Sequence, residues 1–156
     1  SYGVKGAAEI LELVSPEKYS HIACATGTGT MMAGIVQSSL PHQHVIGISS
    51  LKMEDADNNT VSAFIEKYSS KKNRTIFVNY HFGGYAKHTP ALLQFMNEFY
   101  HEHGIPTVFV YTAKLFFAVN DLVMQDYFPP GSRLLLIHSG GLQGNRSLKP
   151  GTLTFQ

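Results

Sequence analysis

A single cysteine, Cys24, rules out any disulfide within the chain, and its place in an apolar segment suits packing in a reducing, cytoplasmic setting. Charge is also scarce. Only 15% of residues are charged and the formal net charge is +1, with both signs interleaved, so nothing electrostatic calls for a nucleic acid or a membrane surface as partner. No apolar run reaches the length of a membrane span, because Lys114 interrupts the most hydrophobic stretch, and no charged segment with a cleavage site opens the chain. A soluble, cytoplasmic protein is expected. Several chemistries lack their residues as well. There is no Gly-x-Ser-x-Gly elbow, no paired-carboxylate arrangement, no Cys/His nucleophile pattern, and no Lys-Ser/Thr after a glycine-rich loop to support phosphoryl transfer. The pairs His42/His44 and His101/His103 stand two residues apart, which places neither on one helical face at i, i+4, and no metal site is expected. Asp55 and Asp57 read as solvated loop residues.

What remains is a sequence of 156 residues, enough for one domain, 1–156, that buries about two-thirds of its unfolded surface. Its most informative stretch is His21-Ile-Ala-Cys-Ala-Thr-Gly-Thr-Gly-Thr30 running into Met31-Met-Ala-Gly-Ile-Val36. Here an apolar strand ends in a small-residue loop that opens a helix. Glycines allow close backbone approach, exposed N–H groups point into the turn, and the positive end of the helix dipole lies beneath, so Gly27, Thr28, Gly29 and Thr30 form a candidate anion cradle. Such a turn also occurs as a plain tight connection.

Helical spacing of Val4, Ala7, Ile10, Leu11 and Val14 predicts a first helix over 4–14, broken by Ser15-Pro16. Strand 21–25, helix 31–40 and strand 44–49 then make a βαβ unit. Asn58 and Asn59 cap a helix through Tyr68, followed by strand 75–79. Thr89-Pro90 start a helix that Gly104 ends after His103. Residues 106–111 read as a short buried strand, 112–124 as a helix, Pro129-Pro-Gly131 as a turn and 133–138 as an apolar final strand. This alternation predicts an α/β fold with a largely parallel sheet and helices on both faces, and a ligand site at the carboxyl ends of the strands. Four segments then converge: the Gly/Thr loop, 79–87 with Tyr85, Tyr111-Thr112, and 138–144 with Ser139 and Gly140. Each has a structural alternative, since Tyr85 could pack on the sheet edge, Tyr111 could fill core and Gly140-Gly141 could be a turn alone.

Five segments match one family in order: Gly3-Val-Lys-Gly-Ala-Ala-Glu9, Cys24 to Gly34, Gly84-Tyr-Ala-Lys87, Val110-Tyr-Thr-Ala-Lys114 and Ile137-His-Ser-Gly-Gly141. The chain resembles the 1-aminocyclopropane-1-carboxylate deaminase and D-cysteine desulfhydrase family, pyridoxal-phosphate enzymes of the tryptophan-synthase-beta-like fold, also called fold type II. The resemblance covers nearly the whole chain but only the carboxyl-terminal half of such an enzyme. It implies that Gly27, Thr28, Gly29 and Thr30 hold the phosphate of pyridoxal 5'-phosphate, that Thr112 faces the pyridine nitrogen, that Tyr85 and Tyr111 flank a small amino-acid substrate in catalytic positions, and that Ser139 and Gly140 belong to the substrate pocket.

Where the deaminase pattern has a glutamate, this chain has Thr112, and where it has a leucine after the matching histidine, this chain has Ser139. A hydroxyl does not enforce a protonated pyridinium as a carboxylate does, so the resemblance favours D-cysteine desulfhydrase-like β-elimination to pyruvate, ammonia and sulfide. Two alternatives are 1-aminocyclopropane-1-carboxylate deamination to 2-oxobutanoate and ammonia, and a non-catalytic module that binds a phosphate ligand. The family's Schiff-base lysine lies in its amino-terminal half and has no counterpart here, since Lys87 and Lys114 belong to other motifs. These residues alone are therefore expected to be inactive, with the full-length parent an enzyme and a homodimer.

Overall fold

A computed structural model describes residues 1–156, apart from the side chain of Asp55, so the expectation for Asp55 lies outside the described residues. Helix α1 spans Tyr2–Ala8 and tightens into a 3-10 segment, Glu9–Leu13, rather than continuing as one helix to 14. Strand β1, His21–Thr26, leads through the Gly/Thr loop into α2, Thr30–Ser38, and β2, His44–Ser49. Helix α3 covers Asp55–Glu66 and β3 covers Arg74–Phe77. Helix α4, Pro90–His103, is followed by α5, Thr112–Met124, then β4, Leu134–Leu136, and a closing 3-10 segment, Leu142–Ser147.

The four strands form one all-parallel sheet in the order β3-β2-β1-β4. Its two faces follow from strand alternation. Ile22, Cys24 and Val45 turn toward α1, α2 and α3, where Val4, Met32, Ile35, Val61 and Ile65 complete one apolar layer. Ala23, Ile46 and Ile48 turn the other way and pack beneath Leu115, Ala118 and Leu122 of α5. Helix α4 lies outside α5, burying Leu92 and Met96 against Val108, Phe109 and Leu153. The helices thus cover both faces, as a buried parallel sheet requires. No helix among the described residues is long and apolar enough to cross a membrane.

One expected strand is missing. Residues 106–111 are buried at Val108, Phe109 and Val110, yet they join no ladder. Several of their backbone groups are satisfied by side chains instead: Val108 N–H donates to Thr112 Oγ1 at 2.8 Å, Phe109 N–H donates to Asn145 Oδ1 at 3.2 Å, and Thr107 O accepts from Asn145 Nδ2 at 2.8 Å, while Val108 O accepts from Ala113 N–H at 2.9 Å. The last strand is shorter than its apolar run because only 134–136 find ladder partners, on β1. Helix α3 starts earlier than Asn58 and Asn59 suggest: Glu54 N–H donates to Asp57 Oδ2 at 3.3 Å across the first turn, so Asp57 is an exposed helical residue and not part of a loop.

Candidate active site

In this strand order the chain steps from β1 outward to β2 and β3 on one side and then returns to place β4 on the other, so the order of connection reverses between β1 and β4 while all strands stay parallel. A crevice opens at the carboxyl ends of strands at such a switch point. A cavity of about 410 Å³ lies there. Its floor is Ala25 and Thr26 at the end of β1, one wall is Gly27 through Met31, and Ser139 closes the side beyond β4. Leu51, Tyr85 and Tyr111 supply the remaining walls.

The Gly/Thr wall has the features of an anion cradle. Gly29 caps α2 at φ 94°, and the first intrahelical bond runs from Ala33 N–H to Gly29 O at 2.8 Å. The N–H groups of Thr30, Met31 and Met32 therefore have no partner within the helix, and no side chain caps them. Thr28 Oγ1 and Thr30 Oγ1 stand 3.2 Å apart, and Thr26 Oγ1 is buried at the cavity floor without a hydrogen-bond partner. A buried hydroxyl left unpaired is costly unless a ligand or water meets it. No acidic side chain lines the cavity among the described residues.

Opposite the cradle the rings of Tyr85 and Tyr111 lie 6.1 Å apart and tilted by 60°. Burial, followed by the hydrogen bond and charge of Tyr85, pushes the Tyr111 phenol above its ordinary range. Tyr111 thus keeps its proton at neutral pH. Tyr85 is 57% exposed and stands at the cavity mouth. Ser139 is placed by its neighbour: His138 Nδ1 accepts from Gly140 N–H at 3.1 Å while Nε2 donates to Pro106 O at 2.7 Å, which fixes the ring tautomer and the bend between them.

Of the residues expected at the site, Gly27, Thr28, Gly29, Thr30, Tyr85, Tyr111 and Ser139 meet around this cavity. Thr112 and Gly140 do not line it. Thr112 is fully buried one residue behind Tyr111, its Oγ1 taken by Val108 N–H, and Gly140 serves the His138 bend. One wall residue carried no recognisable signal, Leu51, an ordinary apolar residue after β2; Thr26 lay within the stretch read from sequence, but its orphaned hydroxyl becomes visible only once burial is known. The remaining histidines go elsewhere, with His44 Nε2 against Thr75 Oγ1 at 2.7 Å and the His103 ring tilted against Phe99 with centroids 4.6 Å apart.

The fold and site define an α/β protein whose parallel sheet carries, at its switch point, a cavity lined by a Gly/Thr loop and an uncapped helix start. A solved structure described as an ACC deaminase homologue shares this fold, with a TM-score of 0.75 and 23% sequence identity over 92% of the present chain. The chain spans 46% of that structure's length. No family model matches the sequence, and no curated protein matches it.

Proposed function

We propose that these residues form the carboxyl-terminal part of a pyridoxal-phosphate-dependent lyase acting on a small amino acid, by D-cysteine desulfhydrase-like β-elimination. The observation that carries this reading is the joining, in one cavity, of an uncapped helix N-terminus flanked by threonine hydroxyls and a facing pair of tyrosines. The cradle suits the cofactor's phosphate, since backbone N–H donors, hydroxyls and a helix dipole all favour an anion and no carboxylate opposes it. Gly27, Thr28, Gly29 and Thr30 would hold that group, with Thr26 as a further hydroxyl. Bound pyridoxal phosphate supplies an electron sink that weakens the bonds at an amino acid's α carbon.

The chain's own residues supply orientation and proton handling. Tyr111 retains its phenolic proton and can donate a hydrogen bond to the departing sulfur, while Tyr85 covers the mouth and restricts water. Among the described residues no carboxylate lines the cavity, which supports elimination of a good leaving group over the ring-opening deamination that a carboxylate would assist. The net reaction consumes one water per D-cysteine and gives pyruvate, ammonia and hydrogen sulfide. Assaying the full-length protein with D-cysteine and with 1-aminocyclopropane-1-carboxylate tests this directly. Sulfide and pyruvate from the first substrate support the reading, whereas 2-oxobutanoate from the second alone, or no product from either, overturns it.

A second reading rests on one observation: no lysine lines the cavity among the described residues. The 156 residues on their own would then bind a phosphate ester without a covalent bond. Borohydride treatment should leave pyridoxal phosphate removable by dialysis from this segment, and permanent attachment would refute it.

A further inference from the structure

Lys114 is fully buried on α5, and among the described residues no carboxylate lies within ion-pair distance of it. A cation buried without a counter-charge is expensive and calls for a structural reason. Its ammonium donates to two backbone carbonyls, Gly84 O at 2.8 Å and Ser50 O at 3.5 Å. Each of those residues immediately precedes a wall of the cavity, Tyr85 in one case and Leu51 in the other, and Lys114 itself follows Tyr111 by less than one helical turn. One side chain therefore joins three walls that come from three separate parts of the sequence.

The segment it grips is strained. Phe82 and Ala86 adopt φ of 53° and 51°, and Gly83 and Gly84 lie at 101° and 123°. Non-glycine residues in this region cost of order 1–3 kcal/mol each and persist only where their surroundings over-determine them. Local bonds help, with Gly84 N–H to His81 O and Lys87 N–H to Gly84 O both at 3.1 Å, but both stay within the segment. The bond from Lys114 anchors it to the core.

We propose that Lys114 is a positioning residue, whose ammonium ties the Tyr85 segment and the end of β2 to α5 and so holds the cavity walls in register. Its role is to orient Tyr85 through the Gly84 carbonyl. The tie itself is independent of what the cavity binds, and only its effect on ligand affinity rests on the pyridoxal-phosphate reading.

The test compares the full-length protein with its Lys114→Met variant, which keeps the chain length and removes the donors, by amide hydrogen exchange and by pyridoxal phosphate titration. Exchange should rise at least about tenfold over residues 84–87 and 51–52 while β1 and β2 amides keep their protection, and ligand affinity should fall about tenfold. Unchanged exchange over 84–87 overturns the proposal, and so does an equal loss of protection in β1 and β2, which would make Lys114 a general core group. If Lys114→Met does not fold, Lys114→Leu, which is shorter and also removes the donors, is read in the same way. Selective loosening of 84–87 in a protein that binds no pyridoxal phosphate would support the tie and refute the ligand reading.

Discussion

Residue by residue, the site depends on groups whose chemistry is set by burial. Gly29 sits at φ 94°, and a Cβ there would meet Val61 Cγ1 at 3.0 Å. Gly29→Ala should cost about 1–2 kcal/mol from the left-handed backbone alone, and should weaken phosphate binding in the same variant. Urea melts and phosphate titration check both. Cys24 lies under α2, where burial pushes its thiol up to about 12, so the folded protein should not react with a thiol reagent at pH 8 until it is denatured.

Lys114 makes a pH prediction of definite sign. Burial lowers its ammonium from 10.5 to about 8. Between those values the unfolded chain holds a proton that the folded chain has released, so this group adds stability as pH rises through that window and imposes its full penalty below it. The difference in urea midpoint between the wild type and Lys114→Met should therefore shift in favour of the wild type from pH 7.5 to 9.5. A constant difference would contradict the assignment.

Among the elements, the contact between α1 and α2 is the tightest. A Cβ at Gly34 would stand 2.5 Å from both Ala7 Cβ and Val4 O. Replacing a mid-helix glycine by alanine ordinarily gains about 1 kcal/mol, but overpacking against a backbone oxygen costs about 1–3 kcal/mol, so the clash prevails. Gly34→Ala should lower the melting temperature by a few degrees, measured by circular dichroism.

The same scale shows what the sequence could disclose. Helix α4 was legible at both ends because its signals are local: Thr89 Oγ1 accepts from Leu92 N–H, Pro90 occupies the first turn, and Gly104 leaves at φ 67°. Strand β2 was legible because a short apolar run follows the turn that begins at Pro41. Residues 106–111 were not, because the groups that satisfy their backbone are Thr112 and Asn145, and an apolar run does not reveal that a distant asparagine will take the place of a neighbouring strand. At the site, the cradle and both tyrosines could be read from motifs. The tie from Lys114 could not, since it depends on which carbonyls a loop with positive φ turns inward.

For the molecule as a whole, the sheet order places the end of β1 beside the return of β4, and everything proposed about function follows from what lies in that crevice. The parallel register brings Thr26, Ser49 and the end of β4 to one edge, while α5 carries Tyr111 across it. Its walls thus come from the loops after β1, β2 and β4, the segment at Tyr85, and the start of α5. The most direct measurement is a crystal structure of the full-length protein with pyridoxal phosphate. The account predicts its phosphate within hydrogen-bond distance of the backbone N–H groups at Gly29 to Met31 and of the Thr28 and Thr30 hydroxyls. A phosphate bound at any other loop, or a cradle filled by the protein's own side chains, would contradict it.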